Sequence, residues 1–365
     1  MPRVSPLRQE QPMPFLPILT PSSLTWWPAL IRLGRVKFLF QSLLAVSAAT
    51  AVIQLEERVF RPGWFTLALA FAWCGHLMTH YCNEYFDLDA DRANKNPTSW
   101  TGGSRVLVDG LLPPLTSLST GFVLLAAEVL MLSAMPTWQA RVVAAAIIVL
   151  AWFYTAPPLR LNYRALGEVT CGVVVYGLVP LLTALLQTSR LPAALLVSVG
   201  VLAAQGALRM LVMNLSDIEG DREVGKLTAA GAMGTRGTIW AYGAGQVLCY
   251  GTVIATGSTG LVPPLMALAL LALAPIPIWV TIQLLADRIT HQRGATAITF
   301  WASMQMALGS TAILVGATAQ SLTARQSLPT LWLVIAALSL VFFGIWLYRT
   351  VRRSGADARS MPVRP

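Results

Sequence analysis

A 365-residue chain with 55% apolar and only 12% charged residues, at a mean hydropathy of +0.62, is excluded from the ordinary water-soluble class, in which charged residues reach about 25%. It reads as a polytopic membrane protein. The net charge of +10 needs no nucleic-acid partner, because insertion topology and anionic lipid headgroups account for it and no RNA- or DNA-binding module is visible.

Residues 1–29 are expected to form an N-terminal cytoplasmic segment. Prolines and polar breaks fall there where a secretory signal would need a continuous apolar stretch. The first span is expected to act as its own insertion signal. A bilayer crossing takes about 20 helical residues, and apolar runs of that order predict spans at 36–53, 64–81, 118–135, 138–154, 169–186, 191–213, 239–256, 261–285, 297–319 and 331–347. The tenth lies apart, at residues 321–348, and is followed by a basic tail at 349–365. Since backbone in lipid must satisfy its own hydrogen bonds and these runs lack dyad alternation, the predicted fold is all-α. It is a transmembrane bundle of nine to ten helices. Pro180, Pro263, Pro264, Pro275 and Pro277 predict kinks or ragged ends. The four cysteines, Cys74, Cys82, Cys171 and Cys249, form no CxxC pair and read as packing residues.

Lysine and arginine counts in the loops set orientation. With both termini on one side, that side collects 21 of the 26 basic residues, so it is expected to face the cytoplasm. Arg209 is counted there as a loop residue.

After the second run comes NEYFDLDADRANKNPTSWTGGSRVLVDG, and after the sixth NLSDIEGDREVGKLT; together they carry nine of the sixteen acidic residues. Four crossings separate them, so both return to the same side. Asn83, Asp87 and Asp91 repeat every four residues along one helical stripe, and Asn214, Asp217 and Asp221 at spacings of three and four. A single such cluster reads equally as a solvated loop. Two facing clusters without complementary lysines repel unless a cation offsets them, and hard oxygen ligands of this kind suit Mg²⁺ completed by water and phosphate oxygens. The predicted metal ligands are Asn83, Asp87, Asp91, Asp217 and Asp221. Lys226, Arg105 and Lys37 are the candidates for the remaining phosphate oxygens, beside Arg35 and Lys95, and positive-inside charge is the plain alternative for each.

Four features in order resemble the UbiA superfamily of intramembrane prenyltransferases: Asn83-x-x-x-Asp87-x-x-x-Asp91 after the second helix, Asp217-x-x-x-Asp221 after the sixth, YTAPPLRLNYRALGE at residues 154–168, and Arg35-Val36-Lys37, similar to the family's Arg-Pro-Lys opening with valine for proline. The resemblance spans about residues 30–320. It implies a nine-helix bundle around a central cavity that opens at the cytoplasmic side of the cell membrane, binding a polyprenyl diphosphate through Mg²⁺. TGGSRVLVDGLL and DIEGDREVGKLT look most like the menaquinone branch, whose acceptor is 1,4-dihydroxy-2-naphthoate. The Arg-Thr-x-x-Arg-Pro pattern usual in the 4-hydroxybenzoate branch is absent. Leu227 stands where menaquinone-type enzymes commonly carry arginine, and Glu84 where aspartate is frequent.

The implied chemistry is ionisation of the allylic diphosphate and attack by an electron-rich ring. Asp87, Asp91, Asp217 and Asp221 are the residues on which catalysis would depend, with Asn83, Asn214, Lys37, Arg105 and Lys226 at the substrate. Tyr154 is a cavity wall or, equally, an interfacial anchor. His76 and His80 continue the first stripe deeper, either toward the acceptor or as satisfied interior residues. Glu128 is a mid-span carboxyl with Arg209 as its candidate partner. Rival readings are a cation-coupled transporter, which wants acids near the midplane of broken helices, and a membrane terpene cyclase using the same diphosphate with no acceptor.

Overall fold

A computed structural model describes residues 23–94 and 102–360, and Lys95 lies outside them. In chain order the helices are α1 Ser23–Leu33, α2 Leu39–Glu57, α3 Pro62–Phe86, α4 Leu88–Ala93, α5 Pro114–Ser133, α6 Trp138–Trp152, α7 Gly167–Gly172, α8 Val179–Gln187, α9 Ala193–Met213, α10 Ile218–Glu223, α11 Ala229–Ser258, α12 Pro264–Leu271, α13 Pro275–Leu285, α14 Gln292–Thr323 and α15 Thr330–Ser360. Among the described residues there is no strand, only an isolated backbone bridge between Arg164 and Leu227.

Every apolar run read from the sequence is helical, and among the described residues seven helical segments are, by length and composition alone, long and apolar enough to cross a membrane. They are Val36–Glu57, Pro114–Ser133, Gly167–Gln187, Ala193–Ser216, Pro264–Leu285, Gln292–Thr323 and Thr330–Arg352. The other three fall short for physical reasons. Helix α3 carries His76, His80 and Asn83, α11 is rich in glycine and bends at Gly234 (φ 69°, ψ 171°), and α6 has only 15 residues.

Local chemistry sets the helix ends. Thr137 caps α6 by accepting from the Ala140 amide at 3.2 Å, and Thr228 caps α11 by accepting from Gly231 at 3.0 Å. The prolines mark breaks, because a proline donates no amide and is tolerated in the first turn. Pro264 and Pro275 open α12 and α13, which splits that crossing. Pro180 opens α8 directly after a π-helical stretch, Val173–Leu178.

Close packing holds the bundle together. A β-carbon on Gly172 would lie 2.3 Å from the Ala203 carbonyl oxygen, and one on Gly206 would lie 3.0 Å from the Gly172 α-carbon, so these glycines set how near α7 and α9 approach. Gln205, Gln246 and Gln305 link α9, α11 and α14 through amide hydrogen bonds of 2.9–3.3 Å, fully buried. Exposed Phe122, Val123, Val129 and Leu130 on α5 form an apolar outer face suited to lipid. Helix α15 packs on α2 through Phe40, Phe343 and Trp346 and through Ser47 to Ser339 at 3.1 Å. Its buried Trp332 meets Phe60 and Phe65.

Glu84 ties the loop after α4 to the start of the bundle. Its carboxylate is 2% exposed and accepts from Arg35 Nε at 2.7 Å, the Ser104 amide at 2.6 Å and Ser104 Oγ at 2.7 Å. Charge-assisted hydrogen bonds of this kind contribute about 1.5–3 kcal/mol each. Glu84→Gln keeps the shape and removes the charge, and is expected to destabilise the protein by about 2–3 kcal/mol. Thermal unfolding in detergent checks this; an unchanged midpoint contradicts it.

Candidate active site

The two acidic stretches meet. Helices α3 and α4 carry the first, α9 and α10 the second, and one cavity of about 1540 Å³, mouth included, is lined by Asn83, Asp87, Asp91, Asn214, Asp217, Asp221, Lys226 and Tyr154 among others. Asp87 is buried, whereas Asp89 points out and pairs with Arg92 at 3.3 Å, which leaves it the solvated role.

Direct contacts join the halves. Asn94 Nδ2 donates to Asp217 Oδ1 at 3.2 Å. Lys226 Nζ lies 3.3 Å from Asp87 Oδ2 and 3.3 Å from Asp221 Oδ1, a cation between the two motifs. The bridge between Arg164 and Leu227 explains this placement, since Ala165 donates its amide to the Leu227 carbonyl at 2.7 Å and so pins the lysine-bearing loop. Leu227, standing where arginine is common in the menaquinone branch, contributes backbone here and exposes its side chain.

The electrostatics follow from crowding in a dry place. Burial pushes the Asp91 carboxyl up to about 7, with Glu84 and Asp87 adding to the rise and Arg35 opposing it. Burial likewise pushes Asp221 up to about 6, against the pull of Lys226. For Lys226 burial works against the charge, yet Asp87 and Asp221 together hold it above its ordinary value. Tyr154 is raised, mainly by burial.

The donor set fits a magnesium ion in one particular way. The cavity presents hard carboxylate oxygens, and one of them, Asp221 Oδ2, is buried without a hydrogen-bond partner. Among the described residues no three acidic, histidine or cysteine side chains converge on a single point. Mg²⁺ usually takes one or two protein carboxylates and completes its octahedron with water and phosphate oxygens, so the carboxylates lining the cavity are suitable oxygen donors.

Not every candidate belongs to the cavity. Arg105, in a left-handed conformation (φ 65°), donates to the Asp91 carbonyl and does not line it. Lys37 also lies outside the lining, with its ammonium 5.1 Å from the Phe38 ring. Arg35 takes the cationic place beside the first motif. The Asn214 amide donates to Glu168 Oε1 at 2.8 Å, which fixes it in place. Arg209 proves to be inside α9, not in a loop, and Glu128 is not its partner. Both Glu128 oxygens lack hydrogen bonds, and the carboxyl fits against α3 at Gly75, where a β-carbon would lie 2.6 Å from Oε1.

Several contributors were not singled out in the sequence. Asn162 Nδ2 donates to Asp87 Oδ2 at 3.0 Å from a loop whose amide at Asn162 returns to the Tyr154 carbonyl at 2.9 Å. Glu168, buried, also accepts from the Ala230 amide at 3.3 Å. Gly103 has φ +77°, and a β-carbon there would fall 2.1 Å from Asp91 Oδ2. The glycine pair in TGGS was the available signal, and its reason is this close approach. Gly103→Ala is therefore expected to displace Asp91 and lower turnover by at least tenfold, measured as diphosphate release; full turnover contradicts the packing argument.

The UbiA prenyltransferase family model matches residues 43–304. The chain is 24% identical over 252 residues to a 1,4-dihydroxy-2-naphthoate octaprenyltransferase of Bacillus subtilis (strain 168), covering 68% of this chain and 79% of that protein. Its fold is similar to a digeranylgeranylglyceryl phosphate synthase (TM-score 0.57, 18% identity, 80% of this chain and 99% of the other). It is also similar to a UbiA homologue from Archaeoglobus fulgidus bound to GPP and Mg²⁺ (TM-score 0.55, 13% identity, 78% and 99%).

Proposed function

Because the chain belongs to the UbiA prenyltransferase family, we propose that it transfers a polyprenyl group from an isoprenyl diphosphate to an aromatic quinone precursor such as 1,4-dihydroxy-2-naphthoate, with Mg²⁺. The observation that carries this is the single cavity shared by both carboxylate motifs, with Lys226 between Asp87 and Asp221. The named activity of the Bacillus subtilis relative supports the choice of acceptor.

Asp87, Asp91, Asp217 and Asp221, with Asn83 beside them, would hold Mg²⁺, which supplies charge neutralisation of the diphosphate as it leaves. Lys226 adds a fixed positive charge at the same end, while Arg35 holds Glu84 beside the first motif and Asn162 holds Asp87 within it. The allylic carbon–oxygen bond breaks with its electron pair leaving on diphosphate. Water would quench the resulting cation, so the apolar walls beyond the motifs matter. Ile147, Leu150, Val174 and Val175 exclude water there, and the Phe38, His80 and Tyr154 rings offer π faces. A ring carbon of the acceptor then attacks. If that carbon bears a carboxylate, CO₂ leaves and its bonding pair restores aromaticity; if it bears hydrogen, a proton leaves.

The cavity mouth would face the cytoplasm, a reading that the basic loops on that side support. The carboxylates sit at the ends of α3 and α9, where a diphosphate from water can reach them, and not at mid-helix as a permeation site wants. Purified protein with Mg²⁺ and labelled geranylgeranyl diphosphate tests the reading. Diphosphate release that requires 1,4-dihydroxy-2-naphthoate and yields a joined product supports it. Equal release without any aromatic acceptor points to cyclisation or hydrolysis and overturns it.

A further inference from the structure

We infer that the deep end of the cavity is a subsite for an anionic group on the acceptor, an aromatic carboxylate gripped by Arg209 with His76 at its side. The inference rests on the prenyltransferase reading and adds to it the residue that selects the acceptor.

Arg209 sits within the apolar span Ala193–Ser216 and is only 8% exposed, yet it lines the same cavity as the aspartates. Its neighbours do not satisfy it. Nη2 meets Cys171 Sγ at 3.6 Å and Met210 Sδ at 3.0 Å, both weak acceptors, and Nε has no hydrogen-bond partner. No acidic side chain among the described residues forms an ion pair with it, Glu128 included. A guanidinium in a membrane span without an anion is costly, and such groups mark ligand sites. Its planar fork matches a carboxylate with two parallel hydrogen bonds.

Position separates this subsite from the diphosphate end. Arg209 precedes Asp217 by eight residues, about 12 Å along a helix, and His76 precedes Asn83 by seven, about 10 Å. Two different helices thus place a polar group at similar depth beyond the metal-binding stripes. His76 Nδ1 is 2.8 Å from Ser42 Oγ, and its ring stacks on His80 at 4.8 Å, so the imidazole is held in place at the wall. An acceptorless cyclisation would put a carbocation beside a guanidinium, which Coulomb repulsion disfavours. An anionic acceptor instead brings the missing countercharge.

Equilibrium binding to purified protein in detergent, without prenyl donor, tests this. The probes are 1,4-dihydroxy-2-naphthoate and 1,4-dihydroxynaphthalene, which differ by the carboxylate. Wild-type protein is expected to bind the naphthoate at least tenfold more tightly. Arg209→Gln should abolish that preference and Arg209→Lys should keep part of it, while Mg²⁺-dependent binding of geranylgeranyl diphosphate stays unchanged in both. Equal affinity for the two probes in the wild type, no binding of either, or a preference that survives Arg209→Gln overturns the inference. Loss of geranylgeranyl diphosphate binding by the wild type would overturn the prenyltransferase reading instead. Circular dichroism and the unfolding midpoint of each variant establish that the fold is kept.

Discussion

Asp87→Asn is expected to lower prenyl transfer by about 10²–10³-fold, the range typical for losing one preorganised electrostatic group. The substitution keeps a side chain of the same size beside Asn162 and Lys226 and removes only the charge that would hold a divalent cation and steady the lysine. Asp221→Asn should act alike, because its buried Oδ2 has no hydrogen-bond partner among the described residues. Asp89→Asn is the internal control. It lies two residues from Asp87 on the outer face and pairs with exposed Arg92, so its loss should leave turnover unchanged. Initial rates of labelled product formation at saturating Mg²⁺ separate these outcomes, and an Asp89 variant as impaired as the Asp87 variant would refute the assignment by stripe.

Lys226→Met is the second large effect, and it falls on stability and donor binding together. In the metal-free protein the lysine is the cation nearest both Asp87 and Asp221, each 3.3 Å away. Removing one member of a buried ionic cluster leaves the others uncompensated, at about 3–5 kcal/mol. The unfolding midpoint without metal should therefore drop, and saturating Mg²⁺ should recover more of it than in the wild type. KM for the prenyl diphosphate should rise at least tenfold. A metal-free midpoint equal to the wild type's would mean that the carboxylates do not repel one another across the cavity.

The helices and the two stripes were legible in the sequence because each is written in a local period: apolar runs of span length, and carboxylates three and four residues apart on one face. Their convergence was legible too, since counting crossings between the stripes puts both on one side. What stayed hidden depends on chain segments far apart in sequence. Arg35 and Arg105 look equivalent as loop cations, but only Arg35 reaches the cavity, because Glu84 draws it in while Arg105 turns back onto the Asp91 carbonyl. Asn162 carries no periodic signal, and its contact with Asp87 exists only because its loop folds back on Tyr154. Arg209 was miscounted as a topological charge because loop counting assumes that basic residues sit outside the spans. Among the described residues seven helices, not ten, pass on length and apolar composition alone, for a related reason. Hydropathy averages cannot admit a helix such as α3, whose polar stripe faces a cavity and not lipid.

A crystal structure with Mn²⁺ in place of Mg²⁺ and a non-hydrolysable geranylgeranyl thiolodiphosphate tests the central claim most directly, through the anomalous signal of the metal. Peaks bridging the diphosphate to Asp87 or Asp91 on one side and Asp217 or Asp221 on the other are the predicted result. A diphosphate bound elsewhere, or metal on one aspartate motif alone, would contradict the account.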